Sequence, residues 1–247
     1  MFQKDIVPGI HRIEHAYTNF YVVEEAGRLT VVDTSFPKSW GLLLDILSEL
    51  EFDRKDIAAI IITHAHFDHL GFAARAQAEL GIPVWVHTYE AYIARHPYRY
   101  DHEKNRVLYP LLHPRSLPIQ MSMIKAGALA VPGLKHIHKF ENVEKLEVPG
   151  SPKVIFVPGH THGHCAFYFE ERGALLTGDA LVTLNPYTGE TGPQIISGAA
   201  TADSAEALVS LDKLLIAKDS IILPGHGEPW KDGVAKAVGL ARDKGAS

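Results

Sequence analysis

Residues 64 to 69, His64-Ala65-His66-Phe67-Asp68-His69, place three imidazoles and a carboxylate in one short segment. Further candidate donors follow at wide intervals as His160, Asp179 and His226. Imidazole is a borderline ligand and carboxylate a hard one, so this set suits zinc and also iron or manganese. Two divalent ions, two carboxylates and one bridging hydroxide would leave a formal charge of about +1, which favours an anionic tetrahedral intermediate. Coordination lowers the pKa of a bound water toward ~7, and a second ion can polarise a carbonyl or phosphoryl oxygen. Such a centre needs no serine or cysteine nucleophile.

Each donor segment follows a short apolar run. Residues 57 to 62 read as a buried strand ahead of His64, and residues 154 to 157, 174 to 176 and 221 to 223 precede His160, Asp179 and His226 in the same way. In extended backbone, side chains two apart point the same way, so His64 and His66 can share a cation. The chain then turns into a helix expected over residues 70 to 80, which redirects Asp68 and His69 toward a second cation. Four strand ends converging on one rim match the crevice where layered α/β proteins place their sites.

On these motifs the chain resembles the metallo-β-lactamase superfamily, whose His-x-His-x-Asp-His signature matches residues 64 to 69. The resemblance implies a single α/β domain over residues 1 to 247, a four-layer αβ/βα sandwich with two sheets face to face and helices outside. It implies His64, His66 and His160 as ligands of a first metal, with Asp68, His69 and His226 on a second and Asp179 bridging. The implied cofactors are two divalent ions, zinc first, and Asp68 and Asp179 are the catalytic carboxylates, Asp68 also orienting the nucleophilic hydroxide. Asp33, after Val31-Val32, corresponds to an aspartate that supports the metal loop without binding metal.

Several residues lie near these motifs without joining them. His162 and His164 extend the third segment; His164 reads as a partner of the ligand loop, and His162 as loop packing with substrate contact as the alternative. The sole cysteine, Cys165, opens an alternating segment and reads as a small buried hydrophobe. Residues 89 to 139 show little strand-like alternation and carry Tyr92, Tyr98, Tyr100, Tyr109, Arg106, Met121 and Met123. They predict a mostly helical insertion, either lying over the cleft to form an apolar acyl pocket or serving as packing and a homodimer contact. Residues 184 to 193 are turn-rich and predict an irregular loop at the cleft border, where Tyr187 reads as a loop anchor with substrate contact as the alternative. Asp203 is placed to cap a helix over residues 204 to 215.

Composition narrows the partners. The chain has 247 residues, 46% hydrophobic, enough for one well-cored domain. A formal charge of −5 and no Lys/Arg stripe argue against nucleic acid as substrate. No run approaches a membrane span and the N-terminus lacks a secretory pattern, which predicts a cytoplasmic protein acting on a small molecule. Within the superfamily, Asp179 argues against antibiotic hydrolysis, because true β-lactamases lack the bridging aspartate. The short tail after His226 argues against the helical glutathione-binding region of glyoxalase II. Val182 stands where acyl-homoserine lactonases commonly carry tyrosine. The resulting expectation is a dinuclear hydrolase of a small ester, lactone or thioester using a metal-bridging hydroxide. The alternatives are an iron-dependent oxidoreductase resembling sulfur dioxygenases and a phosphodiesterase.

Overall fold

The structure, a computed structural model, describes residues 1–106, 109–141 and 143–247. Its larger sheet has seven strands in sequence order: β1 (Phe2–Val7), β2 (Ile10–His15), β3 (Thr18–Glu25), β4 (Arg28–Val32), β5 (Ile57–Ile61), β6 (Val84–His87) and β7 (His138–Phe140). The pairings from β1 to β4 are antiparallel and those from β4 to β7 parallel. The parallel crossovers carry α1 (Ser39–Glu49), α2 (Ala73–Leu80) and the helices α3 (Ala91–Arg95), α4 (Tyr109–Leu112) and α5 (Leu117–Ala126).

A second sheet is built from β8 (Lys153–Phe156), β9 (Cys165–Phe169), β10 (Ala174–Gly178) and β13 (Ile221–Pro224), in the order β13-β10-β9-β8. Between its members in sequence lie the hairpin β11 (Val182–Leu184) and β12 (Thr191–Gln194) and the helix α6 (Ser204–Ser210); α7 (Val234–Lys244) follows.

Strand periodicity decides which side chains meet. Tyr21, Val23, Val32, Ala59 and Ile61 of the large sheet pack against Cys165, Phe167, Phe169, Leu176 and Leu223 of the small one. The alternate positions, among them Val22, Val31 and Ile60, face outward onto Trp40, Leu43 and Leu47 of α1 and Ala73 and Ala76 of α2. On the other outer face, Ala166, Leu175 and Ile222 meet Ala207 of α6 and Val234, Ala237 and Val238 of α7. Helix, sheet, sheet and helix therefore stack in four layers, as the resemblance implies. Cys165 lies in the inter-sheet core, and burial pushes its thiol pKa upward.

Three expectations need correction. Helix α2 begins at Ala73 and not at residue 70, because His69 and Leu70 donate their N–H groups to His66 O and close a turn first. Residues 184 to 193 are not wholly irregular: Leu184 and Thr191 are cross-strand partners in the β11–β12 hairpin, and only the segment between them is loop. The 89 to 139 stretch is helical through α3, α4 and α5, yet its last residues, His138 and Lys139, form β7 beside β6. Short edge strands carry too few alternating positions to show a period.

The lead-in to α6 braces one donor loop. Ala202 N–H donates to His160 O and Asp203 N–H to Gly159 O, while the Asp203 carboxylate accepts from Glu206 N–H at 2.8 Å as an N-cap. Asp203→Ala should lower unfolding free energy in urea by about 1 kcal/mol, and Asp203→Asn should recover most of it.

Candidate metal centre

The four donor segments leave the C-terminal ends of β5, β8, β10 and β13, and the sandwich brings those ends to one rim. His64, His66, Asp68, His69, His160, Asp179 and His226 are all buried there. His160 Nε2 lies 3.2 Å from His64 Nε2 and 3.1 Å from His66 Nδ1. Tetrahedral ligands at a Zn–N distance of ~2.0–2.1 Å stand ~3.3 Å apart, so these spacings are those of nitrogens around one ion. Nearby, His226 Nε2 is 3.4 Å from Asp68 Oδ2, and His69 completes a second cluster with them. Asp179 lies between the clusters: its Oδ2 is 3.2 Å from His226 Nε2 and 3.7 Å from His160 Nε2, and its Oδ1 is 3.4 Å from His69 Nε2.

Buried polar atoms within this group make no hydrogen bond. Among the described residues these are His66 Nε2, His69 Nε2, His226 Nε2 and Asp179 Oδ1, and His69 Nε2 and His226 Nε2 stand in ion-pair range of Asp179 at 3.4 and 3.2 Å. Unsatisfied buried polar atoms are rare because each costs ~1–3 kcal/mol. Imidazole nitrogens and carboxylate oxygens that converge in this way are satisfied by a cation, the raised imidazoles giving up a proton to it, so the donor set fits divalent metal.

The opposite ring nitrogens show how the lone pairs are aimed. His69 Nδ1 donates to Asp33 Oδ2 at 2.9 Å, His226 Nδ1 to the Tyr17 carbonyl at 2.7 Å, and His160 Nδ1 to Thr201 Oγ1 at 3.2 Å. His64 Nδ1 lies 3.1 Å from Thr63 Oγ1, whose own hydrogen goes to Asp33 Oδ2 at 2.8 Å. Each contact fixes the proton on Nδ1 and frees Nε2. Asp33 also accepts from Thr63 N–H at 2.8 Å, so one carboxylate takes three donors. Its backbone holds φ at 60°, a left-handed conformation that aspartate tolerates better than most residues.

Close approach imposes two glycines. A Cβ on Gly225 would collide with Asp179 Oδ1, and one on Gly178, which has φ of +50°, would meet the Thr63 side chain at 2.6 Å. The two glycines let β10 and β13 run into the centre without a side chain filling it.

Electrostatics sorts the imidazoles into two kinds. Burial lowers His64 and His66 well below the usual histidine value and takes His160 to about 4, so all three are neutral donors at pH 7. For His69 burial is outweighed by Asp179 and Asp33, and its pKa rises. For His226 burial is likewise outweighed, chiefly by Asp179, and the value reaches about 10. Without metal, these two imidazoles are therefore cations paired with Asp179, whose own pKa falls despite burial because His226 and His69 face it.

His164 does not join the donors: its Nε2 accepts the Asp179 N–H at 3.0 Å and its ring stacks on His64. His162 is exposed, pairs with Asp101 at 3.2 Å, and lines a separate pocket that shares Tyr100 with the cavity beside Asp68. Sequence reasoning missed Glu90, a fully buried carboxylate that accepts Ala65 N–H at 2.7 Å and Gly163 N–H at 2.9 Å. It ties the His64–His66 loop to the loop after His160. No motif marks it, because a lone glutamate ahead of a short helix looks like an ordinary surface charge. Thr63 and Thr201 were missed for a similar reason: hydroxyls carry no spacing signal.

A cavity of about 280 Å³ opens beside Asp68. Phe67, the variable residue inside the motif, forms one wall, with Tyr98, Tyr100, Met123 and Tyr187 around it. The Tyr100 ring lies 3.7 Å from that of His66, and Tyr187 lines the cavity with it. Part of the 89 to 139 segment thus reaches the centre, while Tyr92 and Met121 are exposed and Tyr109 is buried.

Asp33→Ala would strand three buried donors at once. It should destabilise the metal-free protein by about 3 kcal/mol in denaturant titration. A loss below the error of that measurement would remove Asp33 from the centre of the network.

Comparison with known proteins gives concordant results. A probable metallo-hydrolase of Bacillus subtilis, YflN, is 27% identical over 243 residues, spanning 90% of this chain and 84% of that protein. The hydroxyacylglutathione hydrolase GloC of Haemophilus influenzae is 27% identical over 196 residues, 75% of this chain and 74% of its own. Among solved structures, a metallo-β-lactamase family protein from Thermus thermophilus superposes with a TM-score of 0.69 at 29% identity, covering 97% of this chain and 80% of that one. The protein TTHA1623, solved in a di-iron-bound form, gives 0.61 at 25% identity, with 93% and 94% covered. The family model of the metallo-β-lactamase superfamily matches residues 15–226, a span that begins ahead of Asp33 and ends on the last donor. Fold, donor geometry and this match agree: the chain belongs to the metallo-β-lactamase superfamily.

Proposed function

We propose that the protein is a dinuclear metallo-hydrolase of a small ester, lactone or thioester. His64, His66 and His160 hold one divalent ion, Asp68, His69 and His226 hold the other, and Asp179 bridges them. The observation that carries this reading is the set of buried, unpaired donor atoms facing one another beside an open apolar cavity. When bound, the ions supply a hydroxide nucleophile near neutral pH and polarise the scissile carbonyl.

The chain's own residues prepare that chemistry. Asp33 and the Tyr17 carbonyl orient His69 and His226, and Asp179 and Asp68 supply the charge that offsets the cations. Burial raises the pKa of Tyr100 and of Tyr187, so both phenols stay protonated and can donate to a substrate oxygen at the junction of centre and cavity. Tyr187 thereby places a phenol near the centre although Val182, buried in β11, occupies the position where a lactonase tyrosine is expected.

Zinc is the proposed metal. The thioester option draws support from GloC, a hydroxyacylglutathione hydrolase, although Arg106 is the one basic residue lining the cavity among those described. That single cation also weighs against a phosphodiester, which recruits several. The di-iron form of TTHA1623 supports a second reading, an iron-dependent oxidoreductase on the same donors. The substrate is a small molecule in either case, given the cavity's size. No helix among the described residues is long and apolar enough to cross a membrane.

Purified protein should carry about two zinc ions per chain and turn over chromogenic esters or thioesters, and Asp179→Ala should lose metal and turnover together. Iron in place of zinc with thiol-dependent oxygen consumption would establish the oxidoreductase instead, and unchanged occupancy in Asp179→Ala would remove the bridge.

Metal uptake should also release protons. His69 and His226 are protonated in the metal-free protein because their pKa values are raised, so zinc must displace both, about two protons per chain near pH 7 beyond the one that a bound water gives up as hydroxide. Release should shrink as pH rises toward the His226 value of about 10. A pH-indicator titration with zinc checks this; uptake without proton release would show that both imidazoles are neutral beforehand.

A further inference from the structure

The cavity beside Asp68 differs from the centre in chemistry. Its inner wall is Phe67 and Tyr98, stacked at 5.6 Å, and its outer wall is one face of α5, where Gln120, Met123 and Ile124 recur at helical spacing. Ile124 and Leu129 line the cavity and are also 42% and 74% exposed. Beyond them Leu117 and Met121 continue the apolar surface at 45% and 52% exposure. A hydrophobic trough therefore runs from the donor atoms out along α5. Contiguous exposed apolar surface around a pocket marks a place where another apolar group is meant to sit.

Apart from the Tyr100 and Tyr187 phenols, its polar groups are already engaged. The Arg106 guanidinium lies 4.9 Å from the Tyr100 ring and donates to the Tyr98 carbonyl at 3.1 Å. Asp68 turns its Oδ2 toward His226 at 3.4 Å, and the Gln120 amide donates to Ser116 Oγ at 3.1 Å. A leaving group with several carboxylates finds one cation here, and a sugar or peptide finds few free donors. A hydrocarbon or aromatic arm finds continuous contact.

We propose that this trough binds a linear or aromatic apolar arm of the substrate, with the scissile carbonyl at the donor cluster and the arm running between Phe67, Tyr98 and α5. The inference rests on the hydrolase reading and names the substrate class for it: carboxylic esters, lactones or thioesters of medium-chain or aryl-alkyl acids or alcohols. Reach along the trough sets selectivity, since each added methylene moves from water onto apolar surface.

The test uses zinc-loaded protein and two ester series, one lengthening the acyl arm from acetyl to decanoyl and one lengthening the alcohol arm over the same range. In one of them kcat/KM should rise about three- to fourfold per methylene until the trough is full. Turnover that is flat in both series would overturn the arm and leave the hydrolase reading standing. Binding of n-alkyl carboxylates to the same protein, measured by calorimetry, separates the two claims. Affinity that climbs with chain length supports the trough even where no ester is cleaved, an outcome that would sink the hydrolase reading alone. Ile124→Trp and Leu129→Asp, both at exposed positions, should each lower the decanoyl-to-acetyl ratio at least about tenfold. An unchanged ratio in both variants would place the arm elsewhere and overturn the proposal.

Discussion

Buried donor atoms that make no hydrogen bond must be held facing one another, and the rest of the molecule is arranged around that constraint. Each such atom costs ~1–3 kcal/mol when left without one, and an isolated loop would swing the rings apart to hydrate them. Here the loops cannot relax. Strands on both sheets feed them, the Asp33 carboxylate locks Thr63 and His69, and Glu90 ties the backbone of Ala65 to that of Gly163. The inter-sheet core beneath the loops therefore anchors the arrangement that keeps these atoms together.

The centre is also divided electrically. His64, His66 and His160 lie among one another's rings, and burial outweighs the pull of Asp179, so they stay neutral. His69 and His226 face Asp179, and Asp33 and Asp68 add to the field, so the carboxylates overcome burial and keep the imidazoles charged. The first group would bind an ion as it stands, and the second would have to give up protons for one. The residue that separates the two regimes is Asp179, which reaches both clusters and whose backbone is pinned by His164.

The donor cluster and the cavity wall come from different parts of the chain. The donors sit on loops shared by both sheets, whereas the cavity wall comes from Phe67, from the segment carrying Tyr98 and Tyr100, from α5 and from the turn bearing Tyr187. Tyr100 is the point of contact between the two parts, since its ring packs on His66 and also lines the cavity.

The amino-acid sequence by itself marked the candidate donors and the strand ends that carry them, and its family resemblance implied the layered fold. The donors and strand ends are local features: apolar runs of strand length, turn glycines and a short motif whose spacing reflects the two-residue period of extended backbone. The N-cap at Asp203 and the buried Cys165 were readable for the same reason. Tertiary structure alone decided which groups aim those donors and what surrounds them. Glu90, Thr201 and the Tyr17 carbonyl act across large sequence separations and belong to residue types that occur everywhere. The hairpin around Tyr187 and the edge strand β7 are too short to impose a period, and they exist because neighbouring backbone offers hydrogen bonds. The meeting of Tyr100 with His66, and of α5 with Phe67, depends on how helices lie over a sheet, a property of packing that no linear spacing encodes.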